Sequence, residues 1–207
     1  VVHSFSNTVT KTVNPDDLQP YINSLPKCLQ ASVNINVNPG DIPQTLNVNG
    51  FYGGGNLVIN AASTVSTYTH TVPNIVVQNC SNPLVNVYGF TATNTTGNSF
   101  YTNKNSGFIY FNKCFAFEGS KSTASHHGFY NNESSLVYVS NCYVNNKFAA
   151  YVGSRVTMNV NAPTDETNSS NTHVFYANGG GEIRLLNRGT IQGDNIFTRA
   201  GNSRIVY

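Results

Sequence analysis

A short pattern recurs along most of the chain: an aromatic or small pair, a Gly/Asn/Ser-rich turn, and a strand of alternating apolar and polar residues. The clearest copies are SFYTNKNSGFIYF (99–111), GFYNNESSLVYV (128–139), VFYANGGGEIRL (174–185) and IFTRAGNSRIVY (196–207); weaker copies begin at Gly50 and Ala149. Coils of roughly 20 to 30 residues with variable loops favour a β-helix over a propeller, whose blades need about 40 residues. We therefore predict an all-β fold, a single-stranded right-handed parallel β-helix.

Aligning the copies sets a register between coils. The alignment places Phe100, Phe129, Ala150, Phe175 and Phe197 at equivalent positions. A second set of strings, IVVQNC (75–80), IYFNKC (109–114) and VYVSNC (137–142), superimposes with all three cysteines in one column. Parallel stacking brings such a column to a spacing of about 4.8 Å, which predicts an internal ladder of thiols. The residue before each cysteine is predicted to occupy a sharp, left-handed bend.

Alternation along each strand assigns residues to the two faces of the coil. The inward set is Ile75, Val77, Ile109, Phe111, Val137, Val139, Val156, Met158, Ile183 and Leu185. The predicted outward column is Val58, Val76, Tyr110, Tyr138, Thr157 and Arg184.

The open end of such a stack exposes apolar surface and unpaired backbone, so it needs a cap. The segment NPDDLQPYINSLPKCLQ (14–30) suits this role, because Asn14 and Pro15 favour a helix start and its leucines fall on one stripe. Pro20 and Pro26 indicate a short or broken helix. We assign residues 1–30 to an N-terminal strand and capping helix, and residues 31–207 to the β-helix. Since Tyr207 falls inside a repeat copy, we expect a continuing chain or a neighbouring subunit to cover that end.

Composition narrows the possible partners. Only 10% of the 207 residues are charged and the net charge is +2, which argues against nucleic acid. No run of 18 or more apolar residues is present, so we expect no membrane insertion. The cysteines lack metal-ligand spacing and three of them share a predicted column, which favours buried free thiols over zinc or a disulfide framework. For Cys28 both the free thiol and the disulfide remain open. We expect no metal and no cofactor.

Two groups of residues could act on a ligand. Carboxylates and imidazoles meet in the loop from Glu118 to Glu133, which also holds His126 and His127; a general acid and base could assemble there, although the sequence SKSTASHH favours a solvated loop. Aromatic side chains form the second group. Tyr110 and Tyr138 share an outward column, and Phe115 and Tyr143 share the position after the column cysteine. Such rings suit sugar stacking, or packing under loops or at a subunit interface.

The run SLPKCLQASVNINVNPGDIPQTLNVNGFYGGGNLVINAA (24–62), followed by coils with an Asn-Cys bend, resembles the pectate-lyase-like β-helix proteins of bacteriophages and prophages found in tail fibres, tailspikes and appendages. The resemblance implies a virion tail component, often a homotrimer, that is assembled in the host cytoplasm and acts at the bacterial surface. We predict that it recognises a cell-surface glycan or a partner tail protein. A polysaccharide-degrading tailspike and a bacterial surface adhesin are the alternatives.

Overall fold

The fold is described from a computed structural model. The structure describes residues 7–61, 70–93, 97–116, 127–134, 136–140, 142–144, 148–151, 155–159, 175–187 and 197–206. Within 143–159, 175–176, 185–187 and 197–198 it describes the backbone alone.

The described chain forms three parallel sheets, together with one helix, α1 (Pro15–Ser24). Sheet I contains β1 (Val9–Val13), β2 (Val33–Val37), β5 (Leu57–Ala61), β8 (Leu84–Tyr88), β11 (Phe108–Asn112), β14 (Leu136–Ser140), β17 (Arg155–Asn159), β19 (Glu182–Asn187) and β21 (Arg204–Val206). Sheet II contains β3 (Gly40–Asp41), β6 (His70–Val72), β9 (Thr91–Ala92), β12 (Phe115–Ala116) and β15 (Tyr143–Val144). Sheet III contains β4 (Leu46–Asn49), β7 (Ile75–Gln78), β10 (Phe100–Asn103), β13 (Phe129–Asn132), β16 (Phe148–Tyr151), β18 (Phe175–Ala177) and β20 (Phe197–Arg199).

Each coil visits sheet I, then sheet II, then sheet III, and the next coil stacks on it in register. Five coils, from β2–β4 to β14–β16, contribute a strand to all three sheets. Every pairing between the described strands is parallel. The predicted parallel β-helix is therefore confirmed.

Inward side chains of the three sheets form one continuous core. Among the predicted inward residues, Ile75, Val77, Ile109, Phe111, Val137, Val139 and Ile183 are buried, as expected. The side chains of Val156, Met158 and Leu185 lie outside the described residues. The predicted alignment was wrong at Ala150, because Phe129 pairs with Phe148 and Phe148 pairs with Phe175. In sheet III, Phe148 lies between Phe129 and Phe175, whereas the alignment had put Ala150 at that position.

The corner that carries Cys80 and the corner that carries Cys114 are built the same way, and this overturns the predicted three-cysteine column. At the corner from sheet I to sheet II, Lys113 has φ 49° and is followed by Cys114, which aligns with Cys142 of the next coil. The strand before Cys80 is β7, which pairs with β10 and so belongs to sheet III. Cys80 therefore follows a left-handed bend, at Asn79, at the other corner, from sheet III to sheet I. Only Cys114 and Cys142 are stacked, with the Cys114 amide donating to Cys142 Sγ at 3.3 Å.

All four cysteines are free thiols, as the sequence favoured for the buried ones. Burial, followed by the neighbouring Cys114, raises the pKa of Cys142 well above its usual value. Cys142 is therefore a neutral side chain that packs in the core.

The predicted cap is confirmed as α1, which closes the first coil. The helix is short but continuous, with the exposed Pro20 inside it. Leu18, Ile22 and Leu29 are fully buried against the end of the core. Asn14 is the N-cap residue, but its Oδ1 accepts from Asn38 Nδ2 at 2.9 Å and caps no helix amide.

Gln19 of α1 takes the place of a missing strand. Its Oε1 accepts from the Asn47 amide at 2.6 Å and its Nε2 donates to the Asn47 carbonyl at 3.0 Å. Asn47 belongs to β4, which lies at the edge of sheet III. A single amide side chain thus satisfies both backbone groups of an edge residue.

We expect Gln19→Leu to lower the free energy of unfolding by about 1–3 kcal/mol, because it leaves the Asn47 amide and carbonyl without partners. Chemical denaturation followed by circular dichroism measures the loss. Gln30→Leu is the control, since Gln30 is exposed and bonds only to Cys28 Sγ, at 3.1 Å. Equal stability of the two variants would contradict the strand-mimicking role.

Candidate functional site

The outer face of sheet I carries an aromatic patch formed by Phe108, Tyr110, Leu136 and Tyr138. Tyr110 and Tyr138 are paired in register, with ring centroids 5.1 Å apart. Phe108 lies 6.3 Å from Tyr110 and 6.4 Å from Tyr138, ring to ring. Leu136 is 40% exposed, one of the most exposed large apolar side chains in the described chain. We call these four residues the sheet I patch.

The outward column containing Tyr110 and Tyr138 was predicted correctly, with one exception. Val58 pairs with Asn86, and Asn86 pairs with Tyr110, so Asn86 occupies the place that had been assigned to Val76. Val76 lies on sheet III, opposite Tyr101. The two tyrosine rings are inclined at 70°. They form an angled surface with one ring edge toward the other's face, and not a flat platform.

Polar groups border the sheet I patch. Asn86 and Asn112 both occupy outward positions, and their Oδ1 atoms are buried without a hydrogen-bond donor. Tyr88 lies beside Asn112 in the same sheet, with Lys113 Nζ 5.6 Å from its ring centre. The patch therefore combines apolar rings with half-buried amide side chains at its border.

The second predicted aromatic pair lies on another sheet. Phe115 and Tyr143 are paired in register between β12 and β15 of sheet II. Phe115 is half-buried, and the Tyr143 side chain lies outside the described residues. A corner of the coil separates the pair from the sheet I patch, so the four predicted ligand-binding residues do not form one surface.

Two of the predicted acid–base residues, His127 and Glu133, are described by the structure, and they do not lie together. Glu118 and His126 lie outside the described residues. His127 precedes β13 and is buried, with Nδ1 3.0 Å from Asn98 Oδ1. Glu133 follows β13 at the exposed bend into sheet I, with φ 45°. Because a four-residue strand separates them, their backbones are about 13 Å or more apart.

A further aromatic pair, on sheet III, was not predicted from the sequence. Tyr101 and Tyr130 are in register on the outer face of sheet III, with ring centroids 5.4 Å apart. The His127 ring meets Tyr130 edge-on at 4.9 Å. Burial raises the pKa of both tyrosines; the Glu133 carboxylate raises that of Tyr101 further, and Tyr101 does the same for Tyr130. The signal was present in the repeated strings FYTN and FYNN, which begin at Phe100 and Phe129.

These features define a parallel β-solenoid with aromatic pairs on two outer faces. Comparison with protein-family models, curated proteins and solved structures finds no match for the chain. In the described part of the chain no three His, Cys, Asp or Glu side chains come together as metal ligands. None of the helices described there is long and apolar enough to cross a membrane.

Proposed function

We infer that this β-solenoid recognises a glycan through the sheet I patch. The observation that carries the proposal is the cluster of three aromatic rings within 6.4 Å of one another on an outward strand face. Isolated surface aromatics need no explanation, but a cluster beside an exposed leucine marks a contact surface.

The chemistry of the surroundings favours a sugar over a purely apolar partner. Pyranose rings present apolar C–H faces that pack on aromatic rings, while their hydroxyls need hydrogen-bond partners. The half-buried Asn86 and Asn112 side chains beside the patch carry amide groups, which both donate to and accept from hydroxyls such as those of a sugar. The inclined rings suit a ligand that contacts one ring by its face and the other by its edge.

The biological setting of the proposal rests on the sequence resemblance. We place the protein in a phage or prophage tail, assembled as a homotrimer in the host cytoplasm and acting at the bacterial surface. The glycan would then belong to the host cell surface. A partner tail protein could use the same patch, and binding by isolated polysaccharide separates the two partners.

We expect Tyr110→Ala and Tyr138→Ala each to weaken glycan binding about 10- to 30-fold, the effect of removing a central aromatic contact. A glycan array identifies the ligand and calorimetry measures the change. Tyr52→Ala is the matched control, because Tyr52 is 50% exposed and lies outside the patch. Unchanged affinity in both patch variants would rule out this site.

Incubation with capsular or wall polysaccharide tests the enzyme alternative. New reducing ends or unsaturated products would show cleavage. Loss of that cleavage in Glu133→Gln or Glu118→Gln would replace recognition by catalysis as the main function.

A further inference from the structure

The outer face of sheet III carries a second cluster that glycan binding on sheet I does not use. Tyr101 and Tyr130 stack in register there, and Glu133 follows directly after the strand of Tyr130. A corner of the coil, which includes residues 104–107, separates this face from the sheet I patch.

Glu133 is held at this place by its backbone and by a neighbour. Its φ of 45° lies in the left-handed region, which disfavours a glutamate. The equivalent positions of earlier coils are Gly50, Asn79 and Lys104, all with positive φ, so the bend belongs to the coil and fixes where Glu133 lies. Asn132 Nδ2 donates to Glu133 Oε1 at 3.3 Å.

The Glu133 carboxylate lies within electrostatic reach of Tyr101. Desolvation by burial raises the pKa of Tyr101, and the negative charge of Glu133 raises it further. The buried His127 packs edge-on against Tyr130 and restricts the position of that ring. Two half-buried aromatic rings and one exposed carboxylate are thus fixed on neighbouring coils.

We propose that Tyr101, Tyr130 and Glu133 form a second site, which binds an organic ammonium group such as that of an amino sugar. Aromatic rings attract cations through the negative charge of their faces, and a carboxylate at the edge supplies the countercharge. Neutral sugars gain nothing from the carboxylate charge. The site therefore selects an amine-bearing ligand over its N-acetylated counterpart.

Lys104 and Glu133 are predicted to have opposite effects on the affinity for the ligand. It occupies the same bend as Glu133 one coil earlier, is exposed, and has φ 52°. Because the two bends are adjacent in the stack, we expect the Lys104 ammonium group to repel a cationic ligand bound at Glu133. Removing the Lys104 charge should therefore strengthen binding, whereas removing the Glu133 charge should weaken it.

The test compares two probes, the trimer of glucosamine and the trimer of N-acetylglucosamine, by calorimetry at low salt. We expect the wild-type protein to prefer the glucosamine trimer. Glu133→Gln should weaken that binding about fivefold or more, and Tyr101→Ala by a similar factor. Lys104→Gln should strengthen it about twofold.

Glu182→Gln is the matched control, because that carboxylate lies on sheet I, 3.9 Å from Arg204. It should leave binding of the glucosamine trimer unchanged, as should Tyr52→Ala, which removes a 50% exposed tyrosine outside both sites. Equal affinity for the two trimers would overturn the proposal. So would full binding by Glu133→Gln with unaltered thermal unfolding, or weaker binding by Lys104→Gln.

Discussion

Phe129→Ala is expected to lower the free energy of unfolding by about 3–5 kcal/mol. Phe129 is fully buried in the middle of the stack, and its ring lies 4.6 Å from Phe100, nearly parallel to it. It also meets Phe111 of sheet I at 5.4 Å. One side chain therefore joins two coils of sheet III and links them to sheet I across the core. Its removal leaves a cavity that rigid, in-register strands cannot close.

Denaturant unfolding followed by circular dichroism measures the loss. Leu136→Ala serves as the control, because Leu136 lies on the outward face of the next coil and is 40% exposed, so its loss should cost less than about 1 kcal/mol. Phe129→Leu should fall between the two, since it fills part of the cavity. A Phe129→Ala variant as stable as Leu136→Ala would show that the core collapses around the missing ring.

Alternation made sheet I predictable. Inward residues such as Ile109 and Val137, and outward residues such as Tyr110 and Tyr138, follow from a period of two within a strand that is buried on one face. The cap was also predictable, because helix signals and an apolar stripe are local. In both cases the deciding interactions lie within one short stretch of chain.

The corners were not predictable, because two different corners produce the same local sequence. Each needs a left-handed residue followed by a small or apolar buried one, so Asn79-Cys80 and Lys113-Cys114 look alike in the sequence. In the structure, the Cys80 amide donates to Asn105 Oδ1 at 2.9 Å, whereas the Cys114 amide donates to the Cys142 thiol at 3.3 Å. Only the pairing of whole strands tells the corners apart.

The candidate sites show the same division. Tyr110 and Tyr138 share a face because their strands pair in register, and the sequence displays that register directly. The interaction of Glu133 with Tyr101 depends on which coil lies beside which, and no spacing within one repeat encodes it. Proximity along the chain likewise grouped Glu133 and His127 in one loop, although β13 keeps the two residues apart.

Two glycines of the string GFYGGGNL, Gly53 and Gly55, lie in close contact with the backbone of the cap segment. The cap runs close beside the first turn from sheet III to sheet I, where the Leu29 amide donates to the Tyr52 carbonyl at 2.7 Å. The Gly55 amide in turn donates to the Leu29 carbonyl at 2.8 Å. A Cβ on Gly55 would overlap the backbone carbonyl of Ala31, whereas Gly54 faces open space.

We therefore expect Gly55→Ala to destabilise the protein by about 3 kcal/mol or more, the upper end of the range for an overpacked site, because backbone atoms must move. The movement should break the two bonds of Leu29 and detach the cap, which exposes the buried Leu29 side chain. Hydrogen exchange of residues 27–31, measured with the melting temperature, reports both effects. Gly54→Ala should change stability by less than about 1 kcal/mol. Equal exchange in the two variants would mean that the cap tolerates the added methyl group, and that Gly55 is not required for close backbone contact.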